Sequence, residues 1–158
     1  LNDYKANSDH INPALRVDTT DKDTLAEVAK IDKAMNSSKL TKNVTVHRLL
    51  DAEHFGDPES LVGKTLHDKG YMSTSTSKEM AKDFNGVVGY NKPMIMVIEA
   101  PAGSKAINMD NIRGESKEGI RTNFKQQEIL FARGSSLEVT HVTKEGKHTY
   151  VHAKLKQN

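Results

Sequence analysis

The chain has 158 residues, a length that suits one domain built around a single core of ordinary size. Hydrophobic residues make up 35% of the sequence and charged residues 28%, and no apolar run approaches the roughly 18–20 residues that cross a bilayer, so we expect a globular protein without a membrane segment. A net charge of only +2 and four Tyr, four Phe and no Trp argue against a nucleic-acid partner, and the lack of cysteine excludes disulfides, thiolate metal sites and cysteine nucleophiles.

Two helices are predicted at the start of the chain. The first covers residues 2–16. Thr20 or Asp21 can cap the second helix, and Ser37 and Ser38 end it. Side chains at helical spacing follow this cap: Leu25, Val28, Ala29, Asp32 and Met35.

The remainder of the chain is dominated by predicted strands. Their composition and alternation place them at residues 44–50, 71–75, 93–100, 127–132, 137–143 and 148–155. The apolar stretch 93–100 is the expected central strand, and Glu145 and Gly146 form a hairpin turn between the last two strands. Short helical turns are expected over 51–70, and a helix capped by Ser77 is expected over 77–84. Helices followed by strands predict an α+β fold.

Residues 101–125 form a long polar stretch that contains Gly103, Gly114 and Gly119. One helical turn is expected near residues 109–112, and the rest is expected to be a loop. Loops of this length inside a compact domain are usually functional or disordered. Because this one leads directly into the strand that begins near Gln127, we expect it to be functional.

Three polar patterns occur in a fixed order along the predicted strands. Arg48 lies within the first strand, Ser73 within the second, and Gln126 and Glu128 at the start of a later one. Each pattern alone is weak, because an Arg in a strand is usually an ion-pair partner, a Ser/Thr run is usually a turn, and a terminal Glu is usually solvated. Their ordered combination is more specific than any one of them.

In this order the patterns resemble those of the Arg–Ser–Glu class of bacterial mono-ADP-ribosyltransferase toxins, and the resemblance covers nearly the whole chain. Tyr4 and residues 11–16 look like the family's first active-site helix. The other matching segments are Val46-His47-Arg48, Tyr71-Met72-Ser73-Thr74-Ser75, residues 92–98 and residues 126–135. The resemblance implies a single catalytic domain over residues 1–158 with the ADP-ribosyltransferase fold, in which two mostly antiparallel sheets pack together beside N-terminal helices.

An enzyme of this family uses NAD as a co-substrate and needs no metal. The resemblance therefore implies cleavage of the nicotinamide–ribose bond and transfer of ADP-ribose to an acceptor protein, with side NAD glycohydrolase activity. By the same resemblance, Arg48 would offer a planar charged fork to phosphate. Asn12, Arg16 and Lys92 would add to the phosphate contacts, and the backbone of Leu49 would hold the nicotinamide carboxamide.

The resemblance gives Glu128 the central catalytic role, in which it bonds the ribose 2′-hydroxyl and offsets developing positive charge. A carboxylate suits this task because glycosidic cleavage passes through an oxocarbenium-like transition state. Ser73 would bond to Glu128 and fix its rotamer. Thr74 and Ser75 would shape the nicotinamide pocket, and Phe84 would pack on the cofactor-binding loop.

Gln126 and Phe124 are the residues implied in recognition of the acceptor protein. In this family a Glu at the position of Gln126 accompanies arginine modification, whereas a Gln accompanies Asn or Gln acceptors, as in the Rho GTPase-modifying exoenzymes. An amide acceptor on a protein such as a small GTPase is therefore expected. The family's aromatic residue usually stands three positions before the Gln, where this chain has Asn123, so the identity of the acceptor stays open.

Other readings of the sequence are weaker. Gly63-Lys64-Thr65 resembles the end of a nucleotide phosphate loop, but Pro58 stands where that motif needs Gly. His148 and His152 share a face of a predicted strand at a separation of about 13 Å, which is too far for one metal ion. The remaining alternative is a non-catalytic relative that binds NAD or docks on a protein.

The first residue is Leu1, and no signal-peptide pattern follows it. We therefore expect a processed protein or an excised domain. The family resemblance implies a bacterial or phage origin and a protein that is secreted or delivered into a target cell. Delivery would need a translocation partner or a fused delivery domain.

Overall fold

The computed structural model describes residue 15 and residues 20–83, 85–109 and 128–157. Most of the predicted helix over 2–16 and most of the predicted loop over 101–125 lie outside these residues. The described residues contain the three helices α1 (Lys22–Asn36), α2 (Lys78–Asp83) and α3 (Asn85–Val88), and two 3-10 helices, Ala52–His54 and Pro58–Leu61.

The ends of the helices follow from side-chain caps. The carboxylate of Asp21 accepts a hydrogen bond from the backbone N–H of Thr24 at 3.0 Å, which starts α1. The hydroxyl of Ser77 accepts one from the backbone N–H of Met80 at 3.2 Å, which starts α2. The buried residues of α1 recur at helical spacing and are Thr24, Val28, Ile31 and Met35. Both predicted caps are confirmed.

Eight strands in the described part of the chain form one sheet. They are β1 (Val44–Asp51), β2 (Thr65–His67), β3 (Met72–Ser75), β4 (Pro93–Ala100), β5 (Ala106–Asn108), β6 (Glu128–Phe131), β7 (Ser136–Glu145) and β8 (His148–Lys156). Their order across the sheet is β2-β7-β8-β4-β1-β3-β6-β5. The paired strands are antiparallel except β4 and β8, which are parallel. The predicted α+β class is confirmed, with a mixed sheet and few helices.

Two short strands depart from the sequence prediction. Thr65–His67 lies in the segment expected to hold only helical turns, and Ala106–Asn108 lies in the segment expected to be a loop. Each has three residues, too few to show an alternating pattern. Each forms because a longer neighbour supplies hydrogen-bond partners: β7 pairs with β2, and β6 pairs with β5.

The junction between β1 and β3 is narrow. β1 pairs with β4 along its whole length, whereas β1 and β3 meet through one residue pair, His47 opposite Ser75. We expected two packed sheets, but backbone pairing continues across this junction. The pair formed by His47 and Ser75 joins a five-stranded part to the three strands β3, β6 and β5, so the described strands count as one sheet.

The two faces of the sheet bury different groups. The larger core cluster covers one face, and it includes Val46, Met72, Met94, Met96, Ile98, Phe131 and Val151. On the other face, residues of α1 pack with Tyr71 and Leu130. Also outside the larger cluster, Ala81 of α2 packs with Ile95 and Tyr150. The strands that carry Ser73 and Glu128 therefore lie between the larger core and α1.

Candidate active site

Ser73 and Glu128 meet on the two adjacent strands β3 and β6. Ser75 is directly opposite Glu128 in the pairing of these strands, and Ser73 lies two residues earlier on β3, so all three side chains share one face. This diagonal arrangement brings long and short side chains within reach of each other. The hydroxyl of Ser73 donates a hydrogen bond to Oε2 of Glu128 at 2.6 Å.

The short distance is typical of a hydroxyl that donates to a carboxylate. Ser73 is exposed and Glu128 is half-buried, so the pair faces solvent rather than the core. The hydrogen bond fixes one oxygen of the carboxylate and thereby limits the rotamers of Glu128. The structure thus presents an oriented carboxylate at the surface, as the family resemblance predicted for these two residues.

The hydroxyls of the next two residues of β3, Thr74 and Ser75, form hydrogen bonds with different parts of the structure. Thr74 is only 4% exposed, and its hydroxyl donates to the backbone carbonyl of Ile129 at 2.7 Å. It therefore ties β3 to β6 from the core side, behind the face that carries Ser73. The hydroxyl of Ser75 accepts from the backbone N–H of Ser77 at 3.0 Å and shapes the start of α2. The predicted roles of Thr74 and Ser75 at nicotinamide stay predictions.

Arg48 lies on β1, the strand next to β3, and its side chain lines a cleft of about 430 Å³. Its Nη2 atom is 3.8 Å from Oδ2 of Asp68. Strand alternation places Arg48 on the face of β1 opposite to His47, and His47 shares the face of Ser75. The structure thus brings Ser73 and Glu128 together and places the side chain of Arg48 on the side of Met72, which also lines the cleft.

Two other expected cofactor residues lie near the end of β1. Leu49 packs its side chain against the cluster of Ala81, Ile95 and Tyr150. Lys92 is exposed just before β4, and its backbone carbonyl accepts from the backbone N–H of Ala52 at 2.7 Å. The other expected residues, Asn12, Arg16, Phe84, Phe124 and Gln126, lie outside the described residues.

His47 is a residue of this face that the sequence analysis did not select as functional. Its Nδ1 atom lies 3.3 Å from the carbonyl oxygen of Ser75. Because a carbonyl only accepts, Nδ1 carries the proton, and Nε2 of the neutral ring is an acceptor. Burial lowers the pKa of His47, and the charge of Lys78 lowers it further against the raising effect of the Ser75 hydrogen bond. The sequence signal that could have identified His47 was its position next to Arg48 in the same predicted strand.

The family model of the ADP-ribosyltransferase exoenzyme matches residues 1–157. The chain belongs to the ADP-ribosyltransferase exoenzyme family. The resemblance predicted from the ordered Arg, Ser and Glu patterns is confirmed. A search by sequence among curated proteins gives no significant match to this exoenzyme.

Solved structures show that the exoenzyme has the fold of the C3-type toxins. It is similar to Plx2a, an ADP-ribosyltransferase toxin from Paenibacillus larvae, with a TM-score of 0.72 and 24% identity over 98% of this chain and 82% of that one. It is similar to the C3 exoenzyme of Clostridium limosum, with a TM-score of 0.70 and 23% identity over 99% and 82% of the two chains. It is also similar to C3stau2 from S. aureus, solved with NAD, with a TM-score of 0.75 and 22% identity over 99% and 84%.

The described part of the chain lacks two kinds of feature. Within residues 20–83, 85–109 and 128–157, no three His, Cys, Asp or Glu side chains form a group suited to a metal ion. In the same part of the chain, no helix has the length and apolar character needed to span a membrane.

Proposed function

We propose that this exoenzyme cleaves the nicotinamide–ribose bond of NAD and transfers the ADP-ribose to an acceptor protein. The observation that carries the proposal is the bond from Ser73 to Glu128 at 2.6 Å, on a solvent-facing part of the sheet. Membership in the ADP-ribosyltransferase exoenzyme family supports the same reaction. The similar fold of C3stau2, solved with NAD, supports NAD as the co-substrate.

Glu128 fits the charge that the reaction develops. As the bond to nicotinamide lengthens, positive charge grows on the ribose carbon, and a nearby carboxylate is attracted more strongly to this transition state than to the ground state. Ser73 holds the carboxylate in one orientation before substrate arrives, which reduces the ordering needed at the moment of reaction. Both residues keep these roles for transfer and for hydrolysis by water, so side NAD glycohydrolase activity is part of the proposal.

Arg48 is the central residue of the proposed phosphate-binding set. Its guanidinium is permanently charged and forms a planar fork that suits phosphate oxygens. Its ion pair with Asp68 has the long distance of 3.8 Å, and both side chains retain partial exposure. Asn12, Arg16 and Lys92 complete the proposed set of phosphate contacts.

The acceptor is proposed from the sequence, through Gln126 and Phe124. A Gln two residues before the catalytic Glu favours an Asn or Gln side chain as acceptor, on a protein such as a small GTPase. The fold shared with bacterial toxins supports delivery of this exoenzyme into a target cell. We propose that this delivery uses a translocation partner or a fused delivery domain.

Two incubations test the proposed function. With NAD alone, we expect the wild-type protein to release nicotinamide. With labelled NAD and a target-cell lysate, we expect one labelled protein, and mass spectrometry of its modified peptide identifies the acceptor residue. Glu138→Gln is a suitable control, because it changes an exposed carboxylate on β7 that pairs with Lys156. NAD binding without nicotinamide release or labelling would instead support a non-catalytic NAD-binding or docking protein.

A further inference from the structure

A carboxylate on α1 joins two strands that carry the active site. Oδ1 of Asp32 accepts a hydrogen bond from the hydroxyl of Tyr71 at 2.6 Å, and Oδ2 accepts one from Nε of Arg133 at 2.8 Å. The Tyr71 side chain is fully buried, and its hydroxyl also lies 3.2 Å from the carbonyl oxygen of Val28. One hydroxyl hydrogen serves one acceptor best, and the carboxylate is both nearer and charged. We call the cluster of Asp32, Tyr71 and Arg133 the Asp32 clamp.

Charge reinforces this contact. Partial burial lowers the pKa of Arg133, but the hydrogen bond and the charge of Asp32 outweigh burial, and the pKa is raised above its ordinary value. The guanidinium of Arg133 therefore stays charged beside Asp32. Both ion-pair partners are partly exposed, at 29% for Asp32 and 46% for Arg133, so water can enter once the contact is broken.

The Asp32 clamp lies at one end of the strand pair that carries Ser73 and Glu128. Tyr71 immediately precedes β3, and Arg133 follows β6 shortly after its last residue. β3 and β6 pair in register along their whole lengths, so a contact that fixes both strands to one carboxylate also fixes their relative position. The hydrogen bond from Ser73 to Glu128 is diagonal across this pair and depends on that position.

We propose that Asp32 is a positioning residue for catalysis, acting through Tyr71 and Arg133 to hold Ser73 and Glu128 at bonding distance. The proposal rests on the proposed function, because it gives the aligned pair a role in NAD cleavage. The position of α1 is itself fixed, since its apolar residues are buried against the same strands. The packed helix α1 thus sets the alignment of β3 and β6, and this alignment positions the half-buried carboxylate of Glu128.

The test compares Asp32→Asn and Tyr71→Phe with the wild-type protein. The amide of Asn keeps the size of the side chain but removes the charge that binds Arg133. Phe removes only the hydroxyl of Tyr71 and retains its apolar packing, so this variant keeps the test decisive if Asp32→Asn folds poorly. For nicotinamide release we expect kcat to fall by up to about fivefold, the loss expected when the bond from Ser73 to Glu128 is absent, with KM for NAD changed less than about twofold, because alignment acts on the transition state.

Asp21→Ala is the matched control, because it removes the cap of the same helix without altering the Asp32 clamp. It should lower the melting temperature and leave kcat unchanged. Amide hydrogen exchange supplies a readout that does not need activity: Asp32→Asn and Tyr71→Phe should speed exchange in β3 and β6, and Asp21→Ala should not. Unchanged exchange in these strands, or wild-type kcat in both clamp variants, would overturn the proposal. An inactive wild-type protein with faster exchange in the clamp variants would overturn the proposed function while supporting the alignment of β3 and β6 by the Asp32 clamp.

Discussion

Removal of the Ser73 hydroxyl separates the orientation of Glu128 from the stability of the fold. In Ser73→Ala the carboxylate loses a hydrogen bond of 2.6 Å that lies on the exposed face of β3. A hydrogen bond to a charged group contributes about 1.5–3 kcal/mol when buried, and we take about 1 kcal/mol for this solvent-facing pair. Since about 1.4 kcal/mol corresponds to a tenfold change in rate, we expect kcat for nicotinamide release to fall roughly fivefold.

Thr74→Val provides the comparison from the opposite face of the same strand. Val has nearly the shape of Thr but cannot donate to the carbonyl of Ile129, so the free energy of unfolding should fall by about 1–2 kcal/mol. For a chain of this length, the melting temperature should drop by roughly 2–8 °C. Ser73→Ala should lower the melting temperature by no more than about 2–4 °C, because its lost bond is solvent-facing and contributes about 1 kcal/mol. A large loss of stability in Ser73→Ala with normal kcat would refute this reasoning.

Two other predictions concern charged groups. Arg48→Lys should weaken NAD binding about tenfold, measured by calorimetry, because an ammonium cannot reproduce the guanidinium fork. Unchanged NAD affinity with a lower melting temperature would instead indicate that Arg48 stabilises the cleft that it shares with Asp68 and does not bind NAD. Burial lowers the folded-state pKa of both His47 and His152 below the ordinary value of 6.5. In this pH range the unfolded chain therefore binds more protons than the folded chain. The stability that the two neutral histidines contribute is present above pH 6.5 and is lost as the pH falls through their folded-state pKa values. His47→Gln should therefore reduce the fall in melting temperature between about pH 7.5 and about pH 5, and an identical fall in the variant would contradict this assignment.

Strong local signals made much of the fold predictable. Asp21 offered a cap ahead of helically spaced apolar residues, and residues 93–100 formed a continuous apolar run, so α1 and β4 were placed closely. β2 and β5 were missed, because three-residue strands depend on partners that are distant in sequence. The continuity of the sheet also depends on a distant pair, His47 with Ser75, which no local pattern could indicate.

The contact between Ser73 and Glu128 was predictable because the order of the sequence patterns carried the information. Ser73 and Glu128 were paired through the family resemblance, and the structure places them in contact. The side of β1 that Arg48 occupies could not be predicted, since it depends on the register of β1 with β3. The Asp32 clamp could not be predicted from the sequence either, because Asp32 looked like an ordinary residue of a helix face. Its two partners are 39 and 101 residues away in the sequence.

The most direct measurement is the rate of nicotinamide release from NAD by the wild-type protein and by Glu128→Gln. The amide keeps the size of the side chain and can still accept from Ser73, so only the negative charge is removed. We expect release to fall by at least about a hundredfold while the dissociation constant for NAD stays within about threefold. Equal rates of release by the two proteins would show that the carboxylate at this position does not drive the cleavage.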